Sequence, residues 1–359
     1  MINNKKVIGF ICECNPFHKG HKILIKEAKK RGDIIIAVMS GNFVQRGEPA
    51  IYNKYKRTLS LLKNDIDLVI ELPVEFVLSS ANIFANAGIN ILSSLGFVDE
   101  IIFGSESNNL EKLNNIAKLN IYNKNDKSNI KEILKMGINY PKAIELYTRE
   151  KLLSNEILSV EYIRAINKLK NKLNYYIIKR DKRYSATNER KKLNKKISTN
   201  SFSDILNYCL LDNPNLINIS GTNQDICNSI NNIKYRNFDF DKKALSLKTK
   251  NRTLSNIKRI FLCIILNINK NLLIKQKNGS KISYIRILGI KKEATSLLKY
   301  IKIPFLMGYN KKSIDDFTKK FNINKITFES IKLNEYATNL YNIISKNNRL
   351  EVTEKFICY

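Results

Sequence analysis

Two histidines in the stretch NPFHKGH, His18 and His21, are the only histidines in a chain of 359 residues. They stand three residues apart at the start of a helical pattern, so both imidazoles are expected on one helix face. Backbone N–H groups at a helix start attract anions, and Gly20 lets a ligand approach the backbone closely. The pattern predicts a phosphate site whose rings stabilise charge during attack on the α-phosphate of a nucleoside triphosphate. A pair of surface histidines is the alternative interpretation.

The first half of the chain alternates between predicted strands and predicted helices, and these elements could position such a site. Short apolar runs and helical patterns follow one another, which predicts a mainly parallel sheet with helices on both faces. Ligands of such sheets bind at the carboxyl ends of strands, where the histidines stand. Strands are predicted at Val7–Cys12, DIIIAVMSG, DLVIELP, VDEIIFGSES and Asn174–Arg180, and helices at about Pro16–Lys30, Lys54–Lys63, Ser79–Leu95 and within Leu110–Lys172.

The pattern changes near residues 190–200, after a basic run. Beyond about Ser198 the periodicity is helical, most clearly in TLSNIKRIFLCIILNI, and a second helical segment is predicted over Ser283–Ile303. We therefore expect an α/β, Rossmann-like domain with a parallel sheet at residues 1–195. A mainly helical, basic domain is expected at residues 196–359.

The charge is large and uneven. The chain carries 62 Lys and Arg against 32 Asp and Glu, a net charge of +30. Residues 1–150 hold 21 basic and 16 acidic side chains, whereas residues 151–359 hold 41 and 16. So localised a positive field predicts a nucleic-acid partner. A general lysine bias in composition is the alternative, but it does not explain the contrast between the two parts.

The composition also indicates what the protein lacks. No apolar stretch approaches the roughly 18 residues that a membrane span needs, and VIGFICEC is typical of a buried strand rather than a signal peptide. The six cysteines form no CxxC pair. A zinc site or a disulfide framework is therefore not expected, and the cysteine usage indicates a reducing, cytoplasmic setting. The sequence predicts no membrane association and shows no signal for a protein partner.

The HxGH pattern is the signature of the HIGH-type nucleotidyltransferase superfamily, and its surroundings resemble one family closely. The stretches GFICECNPFHKGH, AVMSGNFVQRGEPAIYNKYKR, DLVIELP and FGSES resemble tRNA(Met) cytidine acetate ligases. The likeness continues through SNEILSVEYIRAI, SATNERKKL, LKTKNRTLSNIKRIFLCIILNI and SYIRILGI, so it covers most of the chain. It implies a ligase that joins acetate to AMP with ATP, releasing pyrophosphate. The acetyl group then passes to N4 of the wobble cytidine of elongator tRNA(Met), forming N4-acetylcytidine.

The resemblance implies roles for individual side chains. His18 and His21 become the catalytic pair, and Arg180 can hold phosphate by a planar two-pronged contact. The family's NNILG-like stretch matches SNEILS here, where Glu156 and Ser159 replace an asparagine and a glycine. The implied ATP-binding residues are Ile11, Cys12, Glu13, Cys14, Asn15, Pro16, Phe17, His18, Lys19, Gly20, His21, Lys22, Ile23, Leu24, Gly104, Asn155 and Arg180.

A second phosphate-binding segment, SATNER, resembles the ST-x-x-R signature of the superfamily. Ser185 and Thr187 could cap a helix whose N–H groups, with Arg190, meet the β- and γ-phosphates. An ordinary helix cap is the alternative. The loop before this segment is short, DKRY, compared with the family. Mg²⁺ is expected with ATP, although no carboxylate cluster demands a metal site.

Two basic segments, Lys179–Lys196 and Lys242–Arg259, are expected to face the tRNA. The candidate tRNA contacts are Arg46, Lys182, Arg183, Lys191, Lys192, Arg252, Lys258 and Arg259. Two alternatives stay open. A small-molecule adenylyltransferase of the same superfamily would explain the first 190 residues but not the charge of the remainder. A non-catalytic RNA-binding protein with a relic nucleotide pocket would not need both histidines.

Overall fold

The computed structural model describes residues 2, 4–119, 129–181, 183–184, 186–193, 200–212, 215–236, 239–347 and 349–359. Its strands are β1 (Val7–Cys12), β2 (Ile34–Ser40), β3 (Phe43–Val44), β4 (Glu48–Pro49), β5 (Leu68–Leu72), β6 (Glu100–Ser105), β7 (Asn174–Lys179), β8 (Ile285–Ile290), β9 (Phe305–Leu306) and β10 (Ile357–Cys358).

The helices surround the strands in chain order. They are α1 (Lys19–Arg31), α2 (Lys54–Leu62), α3 (Val74–Val77), α4 (Ala81–Ser94), α5 (Leu110–Lys118), α6 (Asn129–Lys135), α7 (Tyr140–Thr148), α8 (Ser154–Asn167), α9 (Ala186–Leu193), α10 (Asn200–Asp212), α11 (Gln224–Asn231), α12 (Phe240–Ser246), α13 (Leu254–Ile265), α14 (Lys270–Lys275), α15 (Lys311–Phe321) and α16 (Lys325–Ile344). Short 3₁₀ helices occupy Leu216–Asn218, Lys277–Gly279, Lys292–Tyr300 and Glu351–Thr353.

One large sheet lies at the centre, in the order β10-β8-β5-β2-β1-β6-β7, with β9 beside β8. The strands β5, β2, β1, β6 and β7 are parallel, as predicted, and β8 runs antiparallel to β5. Helices cover both faces: Ile36 and Val38 of β2 pack in one apolar cluster, and Ile35, Ala37 and Met39 pack in another. The predicted α/β class with a helical C-terminal region is confirmed.

Helix α1 begins later than predicted. The pattern placed its start at about Pro16, but the first helical residue is Lys19 and His18 is the N-cap. His18 therefore lies just outside the helix as its N-cap. Its side chain accepts a backbone N–H that would otherwise have no partner at the start of the helix.

The prediction of a helical segment over Ser283–Ile303 is wrong. Ile285–Ile290 form the fully buried strand β8, and the following segment, Lys292–Tyr300, is a 3₁₀ helix. Strand β8 pairs with β5, so the sheet takes strands from both sides of the predicted boundary at residue 195. The boundary itself stays a prediction, with α10 as the first described helix beyond it.

A third apolar cluster holds the helices of the C-terminal half together. Phe202, Phe240 and Phe261, from α10, α12 and α13, form its centre, and Phe43 of the β3–β4 hairpin packs against Phe202. The hairpin after β2 therefore bridges the sheet and the helices. In the described part of the chain, no helix is long and apolar enough to cross a membrane. All six cysteines are free thiols.

Candidate active site

A cavity of about 320 Å³ opens at the carboxyl ends of β1, β6 and β7. Chain order explains its position: β2 and β5 extend the sheet on one side of β1, and β6 and β7 extend it on the other. Ligands bind at such a switch point in open α/β sheets. The residues that line the cavity are Phe10, Ile11, Cys12, Glu13, Cys14, Asn15, His18, Gly20, His21, Ile23, Leu24, Gln45, Arg46, Phe84, Phe103, Gly104, Asn155, Leu158, Tyr162, Ile178, Lys179, Arg180, Asp181, Tyr184, Ala186, Thr187 and Arg190.

The two histidines form a reciprocal cap on α1. Nδ1 of His18 accepts the Gly20 N–H at 3.0 Å, and Nδ1 of His21 accepts the His18 N–H at 3.2 Å. The ring centroids are 4.0 Å apart. Because each Nδ1 is an acceptor, the neutral form of each ring carries its proton on Nε2. The backbone thus sets the tautomer with the proton on Nε2 of each ring, and His21 also forms a side-chain hydrogen bond with Cys14.

The electrostatic surroundings keep His18 neutral. Burial, followed by the charges of His21, Arg180 and Arg190, lowers the pKa of His18 from 6.5 to about 3. A neutral ring donates a hydrogen bond without the desolvation cost of a buried cation.

Gly20 is required by the histidine rather than by a ligand alone. A Cβ at this position would lie 2.8 Å from Cε1 of His18 and 3.0 Å from the carbonyl oxygen of Tyr184. The absence of a side chain therefore lets the His18 ring fold back over the first turn of α1.

One wall of the cavity follows β6 and β7. Nη1 of Arg180 donates to Oδ1 of Asn155, and the Asn155 amide donates to Oε1 of Glu106. A Cβ on Gly104 would lie 2.6 Å from Cγ of Arg180, so this glycine lets the arginine cross the strand end. Burial lowers the pKa of the Arg180 guanidinium, with Glu106 opposing this shift. An anion in the cavity would offset the cost of burying this positive charge.

A further guanidinium comes from α9. Arg190 donates from Nη1 to the carbonyl of Asn15 at 2.8 Å and from Nη2 to Oγ1 of Thr187 at 3.1 Å. Burial, followed by the charge of Arg46, lowers the pKa of Arg190. Both predicted partners, Thr187 and Arg190, therefore line the cavity, while Ser185 lies outside the described residues.

The opposite wall is the hairpin after β2. The Gln45 N–H donates to Oε1 of Glu13 at 2.6 Å, and Nη1 of Arg259 donates to the Gln45 carbonyl at 2.8 Å. Gly47 packs on α13, where a Cβ would lie 2.6 Å from the backbone nitrogen of Arg259. Arg46 is exposed and lines the cavity. The helical half of the chain thus holds this hairpin against the site.

Arg57 is a structural residue that the sequence did not reveal. It is 1% exposed, and its guanidinium donates to the carbonyls of Glu13, Ser40, Gly41 and Tyr52. These four carbonyls lie beyond β1, at the end of β2 and before α2, so Arg57 joins the ends of the two strands. Its partners are backbone atoms, for which the sequence carries no signal. Tyr162 was also not predicted and lines the cavity from α8.

Most of the predicted ATP segment lines the cavity, with four exceptions. Pro16, Phe17, Lys19 and Lys22 are not among the lining residues. Phe17 stacks on His21 with ring centroids 5.6 Å apart, and Nζ of Lys19 lies 4.7 Å from the Tyr184 ring. Phe17 and Lys19 therefore contact residues that line the cavity without lining it themselves.

The structure corrects part of the predicted tRNA surface. Lys258 is 7% exposed and forms ion pairs with Asp241 at 2.7 Å and Glu48 at 3.0 Å, so it is not available to an RNA phosphate. Arg259 is committed to the hairpin, and Arg252 donates to Oγ of Ser229 at 3.2 Å. Lys258 and Arg259 of α13 thus stabilise the fold, which their helical spacing did not reveal, whereas the half-buried Arg252 stays a predicted tRNA contact.

The remaining candidates either face solvent or lie outside the described residues. Lys191 and Lys192 of α9 are exposed, and Nζ of Lys192 lies 3.1 Å from Glu189. Arg183 is exposed and pairs with Asp181 at 2.6 Å. Lys182 lies outside the described residues.

Comparisons with known proteins agree with this geometry. A protein-family model described as HIGH Nucleotidyl Transferase matches residues 5–193 and 182–355. A tRNA(Met) cytidine acetate ligase of Fusobacterium nucleatum is 34% identical, over 95% of this chain and 96% of that protein. One from Thermoanaerobacter sp. strain X514 is 33% identical, over 96% of each. The crystal structure of Thermotoga maritima TmcAL bound with alpha-thio ATP matches with a TM-score of 0.86 at 28% identity, covering 96% of this chain and 97% of that chain.

Proposed function

Because the chain belongs to the tRNA(Met) cytidine acetate ligase family, we propose that it activates acetate with ATP and acetylates N4 of the wobble cytidine of elongator tRNA(Met). The observation that carries the proposal is the cap of α1. It places two imidazoles, each with its neutral-form proton on Nε2, in the cavity that Arg180 and Arg190 also line, at the switch point of the sheet. ATP and acetate are the small substrates, and the protein acts in the cytoplasm.

The first step is attack of an acetate oxygen on the α-phosphate, which forms acetyl-AMP and releases pyrophosphate. Acetate is already ionised near neutral pH and needs no base. The chain must therefore position the triphosphate and stabilise its growing charge. His18 and His21 donate to the phosphates from Nε2, Arg180 holds the nucleotide from the β7 side, and Arg190 with Thr187 meets the outer phosphates.

Mg²⁺ is proposed only as a companion of ATP. Within the described ranges, no group of three or more His, Cys, Asp and Glu could hold a metal ion. Mg²⁺ usually keeps several waters and is held largely by substrate phosphates. The residues present do not form a dedicated site, so no step is assigned to the metal.

The second step needs the anticodon loop at the mouth of the cavity. A wobble base is already unpaired, so shape, stacking and backbone contacts suit its recognition. We assign the phosphate contacts to Arg46 beside the cavity and to Lys191 and Lys192 on α9, all of which are exposed. Arg183 is a further candidate. The small-molecule adenylyltransferase alternative leaves the matched and strongly basic C-terminal half without a role.

The test is acetate-dependent formation of acetyl-AMP and pyrophosphate from ATP, followed by analysis of elongator tRNA(Met) for N4-acetylcytidine. We expect both products from the purified chain. His21→Ala removes one phosphate donor and the acceptor for the His18 N–H, so it should lower acetyl-AMP formation roughly 100-fold or more. Lys26→Ala, on the exposed side of the same helix, is the matched control. Acetyl-AMP without acetylated RNA would refute the tRNA assignment and favour a small acceptor.

A further inference from the structure

The cavity has two walls that suit different substrates. Gly104 of β6, Asn155 at the start of α8 and Arg180 after β7 form one wall, whereas Gln45 and Arg46 follow β2. Strand β1 lies between β2 and β6 in the sheet, so the residues just after β1 stand between the two walls. If the nucleotide takes the β6–β7 side, the β2 side is left for the acceptor. Glu13 comes directly after β1 and is bonded to the β2-side wall through Gln45.

Acetyl transfer to a cytidine requires a proton acceptor. The N4 amine is a weak nucleophile because its lone pair is delocalised into the ring, and it must lose a proton when the new amide forms. The histidines cannot take that proton in the geometry seen here. The Nδ1 lone pairs of His18 and His21 already accept backbone N–H groups, and Nε2 carries the proton of each neutral ring.

The Cys14 thiol and the carboxylates are the remaining candidates. Burial raises the pKa of Cys14, but hydrogen bonds to Cys12 and His21 lower it well below its usual value, so its thiolate is a weak base that is committed to these two neighbours.

Two carboxylates line the cavity among the described residues, Glu13 and Asp181. Asp181 accepts three hydrogen bonds from the side chain of Arg183, the shortest at 2.6 Å, and is thereby committed. Glu106 does not line the cavity, and it is bonded to the backbone and side-chain amides of Asn155.

We infer that Glu13 is the catalytic base of the acetyl-transfer step, an assignment that rests on the proposed function. The N4 nitrogen attacks the acetyl carbonyl carbon of acetyl-AMP, and the bond between that carbon and the phosphate oxygen breaks. AMP leaves with the electron pair as a phosphate oxyanion and needs no proton. The proton lost from N4 passes to the Glu13 carboxylate and from there to water.

The surroundings of Glu13 suit this task. Burial is the largest influence and raises the pKa of its carboxyl, which brings the base closer to neutral pH; the Gln45 N–H and nearby arginines oppose the shift. The groups that act on this carboxylate electrostatically are Arg46 of the hairpin, Arg57 of α2, Arg190 of α9, Arg259 of α13, Tyr162 of α8 and Cys12 of β1.

The test separates the two half-reactions in the full-length protein. Acetyl-AMP formation is measured without RNA, and transfer is measured in a single turnover from enzyme-bound acetyl-AMP to elongator tRNA(Met). Glu13→Gln keeps an acceptor for the Gln45 N–H but cannot take a proton. The variant should slow acetyl transfer roughly 100-fold or more. The loss in the transfer rate should be at least tenfold greater than the loss in the rate of acetyl-AMP formation. Glu13→Asp should restore part of the transfer rate.

Two further measurements exclude a merely structural role. Glu48→Gln weakens the pairing of the hairpin with Lys258 but leaves Glu13 intact, so it should lower both half-reactions by similar factors. The wild-type transfer rate should rise with pH through one ionisation, and this dependence should vanish in Glu13→Gln. Equal losses of both half-reactions in Glu13→Gln, or an unchanged pH profile, would overturn the assignment alone. A wild-type chain that makes acetyl-AMP but never N4-acetylcytidine would overturn the proposed function and this assignment together.

Discussion

His18 performs two tasks with one ring. Its Nδ1 caps α1, and the resulting tautomer leaves an Nε2–H donor for the cavity. The same bonds tie its neutral form to the folded state. The residue types and the spacing of the HxGH pattern allowed the pair to be predicted, but the tautomers depend on backbone bonds that only the three-dimensional structure supplies.

This coupling predicts how acid affects stability. The pKa of His18 is lowered from 6.5 to about 3 in the folded protein, chiefly by burial. Between these two pH values the unfolded chain binds a proton that the folded chain does not. The contribution of neutral His18 to the free energy of unfolding is therefore fully present above pH 6.5 and is lost as the pH falls towards 3. Asn can cap a helix but does not titrate. We therefore expect His18→Asn to lose less unfolding free energy than the wild type between pH 7 and pH 5, measured by urea unfolding. Equal losses would show that His18 is protonated as readily in the folded state.

Other residues of the site carried no readable signal. Arg57 resembles any surface arginine of a helix in sequence, yet its donors meet backbone carbonyls of residues 13, 40, 41 and 52. Lys258 shows the converse, because a basic residue in a basic run is buried between Asp241 and Glu48. Long-range pairing of this kind depends on the tertiary fold rather than on local pattern.

At the scale of elements, the hairpin after β2 packs against α13 and also forms one wall of the cavity, so the position of α13 determines the position of that wall. Gly47 has φ +75, and a Cβ there would lie 2.6 Å from the Arg259 nitrogen. Gly47→Ala should therefore destabilise the protein and displace Arg46. Gly137 is a matched control, because it also has φ +75 but has nothing within 4 Å of a Cβ.

We expect Gly137→Ala to cost about 1 to 2 kcal/mol from backbone conformation alone. Gly47→Ala should cost about 1 to 3 kcal/mol more, because packed backbone atoms must shift. Denaturant unfolding measures the difference, and the rate of acetyl-AMP formation reports the displaced wall. Similar costs at the two positions would mean that the hairpin yields to α13 without strain.

The sheet illustrates which elements a sequence can specify. The strands of the first half were predictable because apolar runs are bounded by turns and alternate with helical patterns. The segment SYIRILGI was assigned to a helix because a short, continuous apolar run does not distinguish a buried strand from a buried helix. In the structure this segment forms a strand, because it pairs with β5, which lies more than 200 residues earlier in the chain.

At the scale of the whole molecule, a buried ionic cluster joins the C-terminal segment to the sheet. Nζ of Lys54 lies 2.8 Å from Glu71 and 2.9 Å from Glu351, and Arg286 of β8 lies 3.8 Å from Glu351. All four side chains are 4% exposed or less. Lys54 also begins α2, directly after the hairpin wall. The cluster thus links α2 and β5 of the first half of the chain to β8 and the C-terminal segment.

Removing one charge from this cluster should be costly. Glu351→Gln leaves Lys54 and Arg286 with less compensation in a buried setting, so we expect a loss of about 3 to 5 kcal/mol in the free energy of unfolding. Glu27→Gln removes a half-buried carboxylate paired at 2.7 Å with the exposed Lys30, and its cost should be about 0.5 kcal/mol or less. Urea unfolding of both variants at neutral pH gives the comparison. A loss below 1 kcal/mol in Glu351→Gln would show that the cluster reorganises or admits water.

The uneven charge of the chain makes a prediction about RNA binding. Each phosphate contact by a Lys or Arg releases counterions, so the slope of the logarithm of affinity against the logarithm of salt concentration reports the number of contacts. Lys191 and Lys192 are exposed on α9, the helix that also brings Arg190 to the cavity. Replacing both with Gln should reduce the magnitude of that slope for elongator tRNA(Met) by about 1.5. Lys63→Gln with Lys170→Gln removes equal charge from exposed turns that precede β5 and β7, at the end of the sheet away from the cavity. If both double variants change the slope equally, the RNA senses the general field of the protein rather than this face of α9.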